Sequence, residues 1–198
     1  AGYGTWMAGG IAVPMNSQAK ARELAPWLRH CDPAVLVHDS GNTDMKSLLD
    51  ALSARPRLLI VGEEPNRIPG AHFNEVVANR GLSVEAISAP RPDDTPALIL
   101  FTSGTTGSPK GVTLSHRNIA SNAAAVIEYL ELTAHDSMVS VLPFYYAYGN
   151  SVLNTHLAAG GRVVLEPNMV FPHAVVETIA RERVSGFPGE RDRPGEDH

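Results

Sequence analysis

Short apolar runs alternate with amphipathic segments along this chain, and that alternation narrows the folds open to it more than any other feature. Runs at residues 34–37, 58–61, 98–101, 138–142 and 163–165 have the length and the aliphatic composition of strands, and 11–15 reads as a further β-like run. Between them lie segments with apolar side chains at spacings of three and four. Ser17 is expected to cap a helix running to about residue 29, with Ala21, Leu24 and Leu28 on one face. Residues 43–54 form a second helix with Leu48, Leu49 and Leu52 inward, and Ser115 caps a third whose apolar face is Ile119, Ala123, Val126, Ile127 and Leu130. Further helices are expected at 73–79, 149–159 and 173–183, the last opened by Pro172 near its first turn. Strands and helices in turn predict an α/β fold of mainly parallel sheets covered by helices, because parallel neighbours need crossover connections.

Residues 88–96 hold three prolines and the pair Asp93–Asp94, and read as a linker. They divide the chain into a first α/β subdomain over 1–95, which opens inside an apolar, Gly-rich stretch, and a second over 96–189. Residues 190–198 carry six charged side chains directly after the strand-like 184–187, an off-pattern tail.

Composition removes several classes of function. A net charge of −5, with no Lys/Arg cluster interleaved with aromatics, argues against a nucleic-acid partner. The apolar runs are far too short to span a membrane. The single Cys31 excludes an intrachain disulfide and suits a reducing, cytoplasmic compartment. The histidines at 30, 38, 72, 116, 135, 156, 173 and 198 have no zinc-like spacing with Cys31, so no metal site is expected from them.

Chemistry concentrates in residues 102–111, Thr-Ser-Gly-Thr-Thr-Gly-Ser-Pro-Lys-Gly. Thr102, Ser103, Thr105 and Thr106 present hydroxyls, while Gly104, Gly107 and Gly111 let the backbone turn and approach a ligand closely. Lys110 adds a mobile positive charge, so the loop is suited to an anion. Following a buried strand, it is expected at the carboxyl edge of a sheet, where ligands bind. The common P-loop has Gly directly before Lys and a helix starting at once. Here Pro109 precedes Lys110, Gly111 follows it, and the next helix waits until about Ser115, which disfavours a Walker-type NTPase.

The ten-residue string resembles the signature of the adenylate-forming superfamily, which includes acyl-CoA synthetases, peptide-synthetase adenylation domains and luciferases. The segment Leu142-Pro143-Phe144-Tyr145-Tyr146-Ala147-Tyr148-Gly149 is similar to that family's next core motif, with Tyr146 where the family usually has His. Residues 160–165 resemble the strand entry that follows, and residues 8–14 an early Ala-Gly-Gly…Val-Pro segment, so the resemblance covers about residues 1–189.

The resemblance implies ATP-dependent activation of a small carboxylic acid with Mg²⁺ present, then transfer to a thiol such as coenzyme A or a carrier-protein arm. It implies that Thr102, Ser103, Gly104, Thr105, Thr106, Gly107 and Lys110 hold the ATP phosphates. Tyr146, Tyr148 and Gly149 are expected to border or gate the acyl pocket, whereas Phe144 and Tyr145 are expected to pack. The family's Tyr-Gly-x-Thr-Glu and Thr-Gly-Asp motifs, and its C-terminal domain with the catalytic lysine, are not found in this sequence. The expectation is therefore a piece of the large N-terminal domain, inactive alone, with a non-catalytic nucleotide-binding remnant as the other reading.

Overall fold

The computed structural model describes residues 1–39, 44–62, 70–79, 93–102, 110–166 and 172–189. The chain divides into two compact units, one of residues 1–92 with 97–113, the other of 93–96 with 114–198.

In the first unit the elements are α1 (Gly2–Met7), α2 (Ala21–Cys31), β1 (Val35–Asp39), α3 (Met45–Asp50), β2 (Arg57–Val61), β3 (Ala71–His72) and α4 (Phe73–Asn79), followed by β4 (Pro96–Thr102) and most of β5 (Lys110–Ser115). Strands β1, β2 and β3 form a parallel sheet in that order, with Leu36 opposite Leu58 and His38 opposite Ile60. Leu24, Ala25 and Leu28 of α2 and Met45, Leu48 and Leu49 of α3 bury against Leu58, with Leu36 and Leu52 at the margin. The apolar faces expected for these two helices are thus the ones that form the core.

Helix α2 begins at Ala21 rather than at Ser17. The Asn16 side chain accepts the Gln18 N–H at 2.9 Å and the Asn16 carbonyl accepts the Ala19 N–H at 3.1 Å, closing a turn first. The Glu23 carboxylate then accepts the Lys20 N–H at 2.7 Å and fixes the start at the next residue. In α3 the cap is Asp44, whose carboxylate accepts the Ser47 N–H at 3.1 Å and the Ser47 hydroxyl. Helix α1 was not expected, since Gly2 and Gly4 weaken helical propensity. It is tied down from outside, because the Trp6 indole N–H donates to the Ala97 carbonyl at 2.6 Å.

Strand β4 joins the first unit from Ala97 onward, although the linker placed it after the division at residue 95. Ala12 makes a parallel bridge to Leu98, with Ala12 N–H donating to Ala97 at 2.8 Å and Ile99 N–H donating to Ala12 at 2.9 Å. These long-range bonds outweigh proximity in sequence.

The second unit contains α5 (His116–Leu130), β6 (Ser137–Ser140), α6 (Ala147–Ala158), β7 (Arg162–Leu165) and α7 (Pro172–Glu182). Strands β6 and β7 are parallel, and Gly186 bridges Met138 in parallel on the other side of β6. Val139 is fully buried between them. Ser115 caps α5 as expected: its hydroxyl accepts the Asn118 N–H at 3.2 Å while Asn118 accepts the Ser115 N–H at 2.9 Å. Arg162 joins the entry of β7 to the end of α7, donating to the Glu182 carbonyl at 2.6 Å and carboxylate at 3.1 Å. Among the described residues no helix is long and apolar enough to cross a membrane.

Candidate functional site

Two places in the fold hold the residues singled out by sequence, one in each unit. In the first unit they are the stems of the 102–111 loop. Thr102 is the last residue of β4 and Lys110 the first of β5, both exposed, and the two strands pair. Thr102 and Lys110 therefore flank the loop from two paired strands. Ser103, Gly104, Thr105, Thr106 and Gly107 lie outside the described residues. Lys110 begins a strand, and the following helix starts at His116, so the helix that a Walker-type loop needs at the lysine is not formed.

Gly111 follows Lys110 in β5, beside β4. A Cβ there would lie 3.0 Å from Ile99 Cγ2 and 3.5 Å from Phe101 Cε1. Phe101, one residue before Thr102, is stacked almost parallel on Trp27 of α2, with centroids 5.5 Å apart and planes 7° apart. His30, one turn along α2, meets the same ring edge-on at 6.2 Å. Sequence reading singled out Gly111 but not Trp27, His30 or Phe101, because the contact joins distant segments and leaves no local pattern.

In the second unit, residues 142–149 form a turn that enters α6. Tyr146 N–H donates to Pro143 at 3.1 Å, Asn150 N–H donates to Tyr146 at 2.9 Å, and the Asn150 amide donates to Phe144 at 3.3 Å. Tyr145 and Tyr146 lie with ring centroids 4.4 Å apart. Burial, with a further contribution from its hydrogen bond to Tyr146, pushes the Tyr145 phenol above its ordinary value. Tyr146 and Tyr148 are exposed, whereas Phe144 and Tyr145 are half-buried. Gly149 is buried against backbone: a Cβ would lie 2.5 Å from the Pro143 carbonyl oxygen and 3.0 Å from that of Leu142. Its position is explained by close helix–turn packing.

Among the described residues no group of three His, Cys, Asp or Glu side chains gathers where it could hold a metal ion. Cys31 is half-buried, and burial raises its thiol above the usual range, which makes it a poor nucleophile.

The family model described as "AMP-binding enzyme" matches residues 1–189. A probable 4-coumarate–CoA ligase 1 from Dictyostelium discoideum is 30% identical over 92% of this chain and 36% of its own length. An indoleacetate–CoA ligase from Aromatoleum aromaticum is 31% identical, over 89% of this chain and 34% of its own. The crystal structure of ATP-bound MatB from Rhodopseudomonas palustris superposes with a TM-score of 0.73 at 28% identity, covering 89% of this chain and 34% of that one. The chain therefore spans about a third of the length of these relatives.

Proposed function

The chain belongs to the AMP-binding enzyme family, and from that premise we propose that it is part of an ATP-dependent carboxylate-activating ligase, to which it contributes the grip on the triphosphate. The observation that carries this reading is the hydroxyl- and glycine-rich string at 102–111, set between two paired strands with a lysine at the start of the second. In the first step a carboxylate oxygen attacks the α-phosphorus of ATP, the bond from that phosphorus to the bridging oxygen breaks, and acyl-AMP and pyrophosphate form. In the second, a thiolate attacks the acyl carbonyl and AMP leaves; coenzyme A or a carrier-protein thiol is the acceptor.

Within that scheme Lys110, Thr102, Ser103, Thr105 and Thr106, with the backbone N–H groups at Gly104 and Gly107, hold the β- and γ-phosphates. They offset the charge that grows on the leaving pyrophosphate, a positioning and electrostatic role. Magnesium arrives on the triphosphate as its counter-ion. Tyr146 and Tyr148, exposed at the entry of α6, border the acid, and Gly149 lets the 142–146 turn approach the helix. A reducing, cytoplasmic setting suits a chain whose one cysteine is unpaired.

Calorimetric titration of the chain with magnesium ATP and with AMP tests the grip. ATP is expected to bind more tightly than AMP, and Lys110→Ala to weaken ATP at least about tenfold, the scale of a lost charge-assisted hydrogen bond. Equal binding of ATP and AMP, or an unaffected Lys110→Ala, would overturn the reading. A second reading is a nucleotide-binding remnant without catalysis. Incubation with ATP, a panel of acids and hydroxylamine separates the two. Hydroxamate above background for any acid supports adenylation by the chain itself, and its absence alongside ATP binding supports the remnant.

A further inference from the structure

We infer that Trp27 and Phe101 are positioning residues for the phosphate grip, fixing both stems of the 102–111 loop to helix α2. The inference rests on the phosphate-binding reading above and adds to it the device that holds the loop in place. The anion affinity of a binding loop depends on how well its ends are held in the binding geometry. One end is Thr102, and the residue before it, Phe101, is stacked on Trp27 at 5.5 Å with planes 7° apart. The other end is Lys110, and the residue after it, Gly111, is close enough to Ile99 and that same Phe101 ring that an added Cβ would lie 3.0 Å from Ile99 and 3.5 Å from the ring. Phe101 therefore lies beside both stems.

Trp27 carries the connection inward. It packs against the core formed by Leu24, Leu28 and the α3 residues Leu48 and Leu49, so the stack has a rigid base. His30 closes the ring's open edge at 6.2 Å. The contact requires an aromatic at 27 and at 101, because offset parallel rings gain from π geometry as well as buried area. It also favours glycine at 111, because a first side-chain carbon there would press on Ile99 at 3.0 Å and meet Phe101 at 3.5 Å.

Inorganic tripolyphosphate is the probe, because it offers the anion without adenine or ribose. Calorimetry is expected to show Trp27→Leu and Phe101→Leu binding it about fivefold more weakly, in line with loss of one aromatic pair. Trp27→Phe and Phe101→Tyr, which keep the stack, are expected to bind as the parent does. Tryptophan emission of the parent chain, which has Trp6 and Trp27, is expected to change on binding. The change should vanish in Trp27→Phe although binding persists. Far-UV circular dichroism checks each variant, and if the leucine variants do not fold, the emission comparison decides. Leucine variants that fold and bind like the parent, or an emission change unaltered in Trp27→Phe, overturn the inference while Lys110→Ala still loses binding. If the parent and Lys110→Ala bind tripolyphosphate equally, the phosphate reading itself has failed.

Discussion

Gly149 shows how one residue's place in the fold sets a packing demand of its own. It is the closing glycine of the 142–149 segment, expected to border the acyl pocket, and it is buried against two backbone carbonyls. Backbone cannot swing aside as the tip of a long side chain does. Gly149→Ala is therefore expected to destabilise the second unit by about 1–3 kcal/mol, the usual cost of overpacking, read as a lower urea midpoint. A midpoint equal to the parent's would mean that the turn and α6 part without cost. The need for glycine was legible in the sequence, but its reason was not, because the clash is with residues six and seven positions earlier folded back across a turn. The same limit applies at Phe101. Its apolar character marked it as strand, while its stacking on Trp27 is a tertiary contact that no period in the sequence encodes.

At the scale of elements the local chemistry was readable where side chain and backbone cooperate within a few residues. Ser115 was expected to cap α5 and does, with Asn118 completing the reciprocal pair. Ser115→Ala removes the acceptor for the Asn118 N–H and is expected to cost about 1 kcal/mol, measured by chemical denaturation. The end of α7 at Glu182 and the start at Pro172 were likewise close to expectation. The start of α2 was not, since Asn16 first closes a turn over residues 16–19 and the Glu23 carboxylate then fixes the helix start after Lys20. The short strand β3 left no signal, because two residues are too few for an alternation.

A second element-scale prediction concerns the turn that launches β6. Asp136 accepts the Thr133 N–H at 2.8 Å, the Thr133 hydroxyl at 2.9 Å and the Ser185 hydroxyl at 3.1 Å. The Thr133 backbone bond, followed by the two hydroxyls, holds its carboxyl below the ordinary 3.8. A carboxyl depressed in the folded state contributes stability that is complete above its unfolded value. That stability is lost as pH falls through the folded value. The urea midpoint of the second unit is thus expected to hold steady near neutrality and to fall on acidification below about the ordinary aspartate value. Asp136→Asn should start lower at neutral pH and lose less on acidification; an acid limb identical to the parent's would remove Asp136 from the account.

At the scale of the whole molecule the parallel sheet of the first unit carries a consequence for handling the chain. Leu36, His38, Leu58 and Ile60 share one face, on which Leu36 and Leu58 pack with α2 and α3, and the strand register puts Val35, Val37, Leu59 and Val61 on the other with Arg57 and Asp39. Val35, Val37 and Val61 are 52%, 42% and 40% exposed. Parallel sheets are ordinarily covered on both faces, because their strands are apolar on both sides. Here the second face leaves Val35, Val37 and Val61 open between Arg57 at one end and Asp39 at the other. An open apolar face of this kind favours dye binding and self-association. The native chain is expected to enhance anilinonaphthalene sulfonate emission and to sediment faster as its concentration rises. Replacing Val37 and Val61 together by threonine keeps β-branched side chains suited to a strand while reducing apolar surface. That double variant is expected to lower both effects with no change in far-UV circular dichroism. Emission that stays at the parent's level would locate the dye elsewhere, for example on Leu165, Val176 or Phe187 of the second unit, which are 63%, 62% and 53% exposed. The face would then be open to solvent without being a surface on which the chain associates.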